Sequence, residues 1–120
     1  MDESHVKTIL QRWVEAINNQ DVDLLGELLT KDYVWHRRGE KVLDIEATKK
    51  IMKNWFETSI PTMMVEDSFN SGDKTATRWT IRVKSRASGV ETVVAGTSID
   101  RIRDGKFAET WDVGSDKPWL

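Results

Sequence analysis

The dipeptide Asp104-Gly105 constrains this chain more than any other feature. It sits between two apolar, β-branched arms in the stretch Val93–Val113, VVAGTSIDRIRDGKFAETWDV. Glycine supplies the positive φ of a tight turn, and Asp-Gly between alternating apolar arms is a strong hairpin signal. The spacing predicts paired antiparallel strands over Thr92–Ile102 and Lys106–Val113. Thr75–Lys84 extends the pattern. There Trp79, Ile81 and Val83 alternate with Arg78, Thr80, Arg82 and Lys84. This period-two signature belongs to a sheet with one face on the core and one in water. Met63–Phe69 completes a run of strands joined by turns at Ser71-Gly72-Asp73-Lys74 and Ala87-Ser88-Gly89.

The chain before these strands reads as mainly helical. Val6, Ile9, Leu10, Trp13, Val14 and Ile17 form one apolar stripe, which predicts a helix from Glu3 to Asn18. Asp2 or Ser4 suits its N-cap, and Asp21 or Asp23 suits that of a short second helix carrying Val22, Leu24, Leu25, Leu28 and Leu29. Tyr33–Arg37 reads as a short strand broken by Gly39. A third helix over Asp44–Thr58 places Ile45, Thr48, Ile51, Met52, Trp55 and Phe56 on one side. Ser59-Ile60-Pro61 ends it, because the residue before proline disfavours helix. Helices followed by a strand meander predict an α+β fold in which three N-terminal helices cover one curved, mainly antiparallel sheet. Bending the sheet around the helices leaves a conical space suited to a small-molecule pocket.

Composition narrows the function classes. The length of 120 residues suits one domain spanning residues 1–120. Net charge is −2 with both signs interspersed, which argues against a nucleic-acid partner. No apolar stretch approaches the ~20 residues that span a bilayer, so no membrane partner is expected. MDESHVK lacks a basic region followed by an apolar run, so a cytoplasmic location is the expectation. Six tryptophans suit a small core that encloses a cavity. Cysteine is absent, His5 and His36 are the histidines, and no acid cluster has ligand spacing, so no metal site is expected. No Gly-rich phosphate loop, Walker lysine or Gly-x-Ser-x-Gly elbow occurs, and no cofactor is expected.

Four motifs carry a resemblance. They are Tyr33-Val34-Trp35-His36, Ser71-Gly72-Asp73, Ile99-Asp100-Arg101-Ile102-Arg103-Asp104-Gly105-Lys106 and Glu109-Thr110-Trp111-Asp112-Val113. Together they resemble the SnoaL-like polyketide cyclase group of the nuclear transport factor two / ketosteroid isomerase superfamily, over nearly the whole chain. The resemblance implies a cone-shaped α+β barrel, commonly dimeric, with an apolar pocket holding one or two ionisable groups. Relatives close polyketide rings, isomerise ketosteroids, dehydrate, or hydrolyse epoxides, and others have no known catalysis. The Phe-Pro-Asp that many members carry after the third helix is replaced here by Ser59-Ile60-Pro61-Thr62.

Asp112 is the first catalytic candidate, because a carboxyl among apolar walls gains a pKa useful for proton transfer. Strict alternation sends Asp112 and Trp111 to opposite faces, so only one enters the pocket unless a bulge, for instance at Gly96 or Gly114, shifts the register. His36 matches a pocket position of the family and suits acid–base work at neutral pH. Tyr33 can donate a hydrogen bond to a carbonyl or enolate oxygen; the plainer expectation leaves its hydroxyl in water. Trp13, Trp55, Phe56, Trp79, Ile81 and Trp111 are the candidate substrate-binding walls. The charged row Arg78, Arg82 and Lys84 marks a solvated or homodimer-facing outer sheet face, and Glu109 can pair with Arg101 across the hairpin.

Two functional classes follow. One is a cofactor-free enzyme in which Asp112, assisted by His36, removes a proton beside the carbonyl of a hydrophobic polyketide- or steroid-like molecule, with Tyr33 stabilising the enolate. A variant opens epoxides with Asp112, Arg78 and Asp100 or Asp44 positioning water. The other class is a non-catalytic ligand-binding or dimerisation module.

Overall fold

The computed structural model describes residues 3–37, 42–117 and 119. The elements run α1 (Glu3–Asn18), α2 (Val22–Glu27), β1 (Leu29–Arg37), α3 (Ile45–Thr58), β2 (Ser59–Ser71), β3 (Lys74–Ser85), β4 (Glu91–Arg103) and β5 (Lys106–Ser115). The strands form one sheet in the order β1-β5-β4-β3-β2. β2 to β5 make an antiparallel meander, and β1 joins β5 in parallel. The sheet is therefore mixed and open, with β1 and β2 as its edges, rather than a closed barrel.

Local chemistry sets most boundaries. Asp104 (φ 54°) and Gly105 (φ 75°) both adopt positive φ, the type I′ geometry that matches the twist of the flanking strands. Asp21 caps α2 by accepting from Leu24 N at 3.0 Å. Asp44 caps α3 by accepting from Ala47 N at 2.8 Å, each such cap being worth ~1 kcal/mol. At the end of α1, the Asn18 side chain imitates a strand: its Oδ1 accepts from Met63 N at 2.6 Å and its Nδ2 donates to Met63 O at 3.2 Å. Helix α1 is thereby tied to β2.

Two expectations need correction. Leu28 and Leu29 read as helical, but α2 ends at Glu27 and β1 begins at Leu29, well before Tyr33. Pairing with β5 decides this: Phe107 N donates to Leu28 O at 2.8 Å and Leu29 sits opposite Phe107. Helix α3 ends at Thr58, as Ser59-Ile60-Pro61 predicts, but the next strand begins at Ser59 and not at Met63; Pro61 lies inside β2, at a sheet edge where a missing N–H is tolerated. The Asp2 cap, the side chains of Ser4, His5 and Val6, and the break at Gly39 lie outside the described residues.

Helices α1 and α3 pack on the concave face. Ile9, Leu28, Leu29, Tyr33, Ile102 and Phe107 form one core cluster. A second gathers Ile17, Leu25, Met52, Phe56, Met63 and Trp79. Trp13, Leu24 and Trp35 pack against both. Trp79 lies across two facing glycines: Gly96 pairs with Gly114, and a Cβ on Gly96 would meet the Trp79 ring at 2.5 Å. Glycine is required there because the indole occupies the side-chain position.

A β-bulge determines which residues face the helices. Arg101 pairs with Glu109 while Ile102 pairs with Phe107, leaving Ala108 as the extra residue of β5. Without it, an inward Phe107 would bring Glu109 and Trp111 inward too. With it, the inward set becomes Phe107, Thr110 and Asp112. The bulge falls at Ala108, and Gly96 and Gly114 remain in regular register.

Candidate active site

A cavity of about 760 Å³ opens between the helices and the concave sheet face. From the helices, Trp13, Met52 and Trp55 line it, and from the sheet Trp35, Trp79 and Ile81. No titratable side chain of α1 or α3 reaches it among the described residues. The polar wall belongs to the sheet. Tyr33, Trp35 and Arg37 alternate inward from β1, Ser98 and Asp100 from β4, and Thr110 and Asp112 from β5. Thr77 contributes a buried hydroxyl with no hydrogen-bond partner among the described residues.

Two carboxyls anchor the site. Trp35 Nε1 donates to Asp112 Oδ1 at 3.1 Å. Arg37, the register partner of Asp112, places its guanidinium 4.9 Å from the Trp35 ring centroid. Asp100 lies directly opposite Thr110, whose Oγ1 donates to Asp100 Oδ1 at 2.6 Å. Burial, with a smaller contribution from the nearby Asp112 charge, pushes the Asp100 carboxyl up to about 7, while the Thr110 hydrogen bond opposes the shift. Asp100 can therefore hold or release a proton near neutral pH. Tyr33 is 3 % exposed and lines the cavity together with Thr110. Burial first, and the charges of Asp100 and Asp112 after it, push the phenol well above its ordinary range. It therefore stays a neutral hydroxyl, and it does not sit in water.

The structure brings Asp112, Tyr33, Trp13, Trp55, Trp79 and Ile81 to one cavity. It does not bring His36, Trp111 or Phe56 there. Alternation from Tyr33 through Trp35 turns His36 to the convex face. There its Nε2 meets Glu109 Oε2 at 2.6 Å and its ring stacks on Trp111 with centroids 5.2 Å apart. Arg101 Nη1 meets Glu109 Oε1 at 2.8 Å, which joins the residues expected to pair across the hairpin. Phe56 is buried in the core beside Trp55, ring centroids 5.6 Å apart. Of the residues considered for epoxide opening, Asp112 and Asp100 meet at the cavity, whereas Asp44 and Arg78 do not. Asp44 caps α3, and Arg78 pairs with Asp67 at 3.2 Å away from the cavity.

Asp100 and Arg37 are the functional candidates that sequence reasoning underweighted. Each was legible through parity: Arg37 lies two positions past Trp35, and Asp100 two before buried Ile102. Among the described residues no group of three His, Cys, Asp or Glu side chains could hold a metal ion. No helix among them is long and apolar enough to cross a membrane.

Solved structures share this architecture. TsrD from Streptomyces laurentii superposes with a TM-score of 0.83 at 24 % identity, over 96 % of this chain and 91 % of that one. IdmH from Streptomyces antibioticus, a candidate polyketide cyclase, gives 0.81 at 23 % identity, over 92 % and 91 %. An LEH-like epoxide hydrolase from M. tuberculosis gives 0.82 at 13 % identity, over 93 % and 84 %. At these identities the likeness establishes the fold alone. A comparison with curated proteins finds no significant match. Residues 10–110 match the family model of the SnoaL-like domain. With that match covering most of the chain, and an open α+β cone fold behind it, the chain belongs to the SnoaL-like domain family.

Proposed function

We propose that this protein is a cofactor-free acid–base enzyme acting beside the carbonyl of an apolar, polyketide- or steroid-like small molecule, with cyclisation or isomerisation as the outcome. The observation that carries the reading is the pair Asp100 and Asp112 on the wall of an otherwise aromatic cavity. Asp112 takes the proton from the carbon next to the carbonyl. The C–H electron pair moves into the enolate, whose oxygen accepts a hydrogen bond from Tyr33. In isomerisation the proton returns from Asp112 to another carbon; in cyclisation the enolate carbon attacks a second carbonyl carbon of the same molecule, whose π pair moves onto its oxygen, and the proton returns from Asp112 to that alkoxide. The tryptophan walls hold a flat substrate and exclude water, which strengthens both interactions. His36 has no part in this step. Co-crystals with flat carbonyl compounds test the reading. A ligand oxygen within hydrogen-bond reach of Tyr33 supports it, and full turnover by Asp112→Asn on an identified substrate overturns it.

Epoxide opening is the second reading. It is favoured by the cavity's two carboxyls and the Arg37 guanidinium. Incorporation of labelled oxygen from water into product separates it from cyclisation.

The reading includes a homodimer of single-domain chains, docked through the convex sheet face. Phe69, Ala76, Ile99, Trp111 and His36 are successive register partners across all five strands. Phe69 is 72 % and Ile99 45 % exposed. An apolar row of this kind on an exposed sheet face suits association with a second copy.

A further inference from the structure

Thr77 is 4 % exposed, lines the cavity, and holds an Oγ1 with no hydrogen-bond partner among the described residues. Such a hydroxyl lowers stability, because it has given up water and gained no bond in exchange. Its cross-strand neighbour is also a hydroxyl. Ser98 stands opposite Thr77 in the β3–β4 register and lines the same cavity. Ser98 Oγ accepts from Trp79 Nε1 at 2.8 Å. That bond uses one lone pair and leaves the Ser98 proton and its other lone pair. Opposed residues on one face of an antiparallel pair hold their Cβ atoms about 5 Å apart, close enough for two hydroxyls to reach one oxygen.

The row continues toward the proposed base. Ser98 is opposite Asp112 on β5, and Asp112 is opposite Arg37 on β1. The concave face therefore carries one polar line, Thr77, Ser98, Asp112 and Arg37, across four neighbouring strands. Neighbouring strands are about 4.8 Å apart, so Thr77 stands roughly 10 Å from Asp112, two strands away.

Resting on the acid–base reading above, we propose that Thr77 and Ser98 form a second polar subsite, which takes a hydroxyl or carbonyl oxygen at the end of the substrate remote from the carbon that Asp112 deprotonates. The substrate class is a polycyclic ketone with a second oxygen substituent about 10 Å from the reacting end, in preference to a ketone with a bare hydrocarbon tail. A ligand hydroxyl accepts from Ser98 and donates to Thr77; a ligand carbonyl accepts from both. The Thr77 hydroxyl is covered where it stands. Rotation about χ1 to another staggered well exchanges it with its methyl group, and in leaving it breaks no hydrogen bond to a described residue. Thr75 supplies the contrast. Its hydroxyl is equally unpartnered among the described residues and the residue is 2 % exposed, but it does not line the cavity.

Calorimetric titration with two ketones tests the subsite. Acetylnaphthalene has one oxygen, and an acetylnaphthol adds a hydroxyl at the opposite end of the same rings. At a pH where the naphthol is neutral, the hydroxyl tightens binding to the native chain roughly fivefold to tenfold, the worth of about one hydrogen bond. Thr77→Val, which keeps the shape and removes the hydroxyl, abolishes that gain and raises Tm. Thr77→Ser keeps the gain, and Thr75→Val leaves it unchanged. Equal affinity of the native chain for the two ketones, or a gain that survives in Thr77→Val, overturns the proposal and leaves the hydroxyl to ordered water. Should Thr77→Val not fold, a crystal structure with the acetylnaphthol decides. A ligand hydroxyl within hydrogen-bond reach of Thr77 and Ser98 upholds the subsite, and one seated elsewhere overturns it.

Isopropylnaphthalene and isopropylnaphthol separate the subsite from the acid–base reading. If the ketones bind no better than these hydrocarbon analogues while the hydroxyl keeps its gain, the subsite stands and the carbonyl substrate falls. Ketones preferred over the analogues, with no gain from the hydroxyl, give the reverse.

Discussion

Trp35 Nε1 donates to Asp112 Oδ1 at 3.1 Å, a bond that ties the parallel edge strand β1 to the end of β5. It holds one oxygen of a carboxyl that lines the cavity in place. A hydrogen bond to a charged acceptor contributes ~1.5–3 kcal/mol, enough to keep the carboxylate in one rotamer. On the acid–base reading, Asp112→Asn lowers kcat on an identified substrate by about 10²-fold or more. Trp35→Phe, which keeps the ring and removes the donor, costs roughly tenfold. His36→Phe, on the opposite face, leaves kcat within about twofold. Steady-state kinetics on the three variants checks the order.

Asp100 makes stability depend on pH. Its folded pKa, raised to about 7, exceeds the ordinary aspartate value of 3.8. The folded chain therefore binds a proton that the unfolded chain has released between those values. The resulting stabilisation is complete below about pH 4 and is lost as pH rises through about 7. Urea unfolding across that interval should show stability falling by an amount on the order of a few kcal/mol from this group. In Asp100→Asn the slope over the same interval flattens.

The Gly96–Gly114 pair under Trp79 tolerates little. A Cβ on Gly96 would stand 2.3 Å from Val113 O and 2.5 Å from the Trp79 ring. Backbone and a buried indole cannot both yield, so Gly96→Ala should cost ~3 kcal/mol or more, the upper range for overpacking. At Gly114 the nearest atom is a Trp79 ring carbon at 3.0 Å, and the alanine should cost less. Denaturant midpoints of the two variants measure the difference.

The apolar row on the convex face predicts a concentration-dependent dimer. Ile99→Lys places a charge at its centre and should give a monomer in sedimentation experiments, with cavity ligands still bound. A single monomer mass for the native chain across a tenfold concentration range would remove the dimer from the reading.

Much of the fold was legible because its signals are local. Asp104-Gly105 specified its own turn, alternation marked β3, and helical stripes with Asp21 and Asp44 placed the helices. Alternation also separated Asp112 from Trp111 correctly. The same rule, applied along β1, separates His36 from Tyr33, because three positions apart on a strand means opposite faces. Leu28-Leu29 misled because helical spacing in a short apolar run competes with strand pairing, and the partner, Phe107, lies far along the chain.

Apart from Leu28-Leu29, the sequence alone determined which segments become helices and strands, since capping, turn chemistry and apolar period act over a few residues. It also determined that β3 turns Trp79 and Ile81 to one face and its arginines to the other. Tertiary structure decided which acids see the cavity. The parallel pairing of β1 with β5 and the extra residue Ala108 leave no local sequence signature, because each is a property of two strands in register. One bulged residue reverses the parity of everything beyond it. That reversal brings Thr110 and Asp112 inward beside Asp100 and turns Glu109 and Trp111 outward to meet His36.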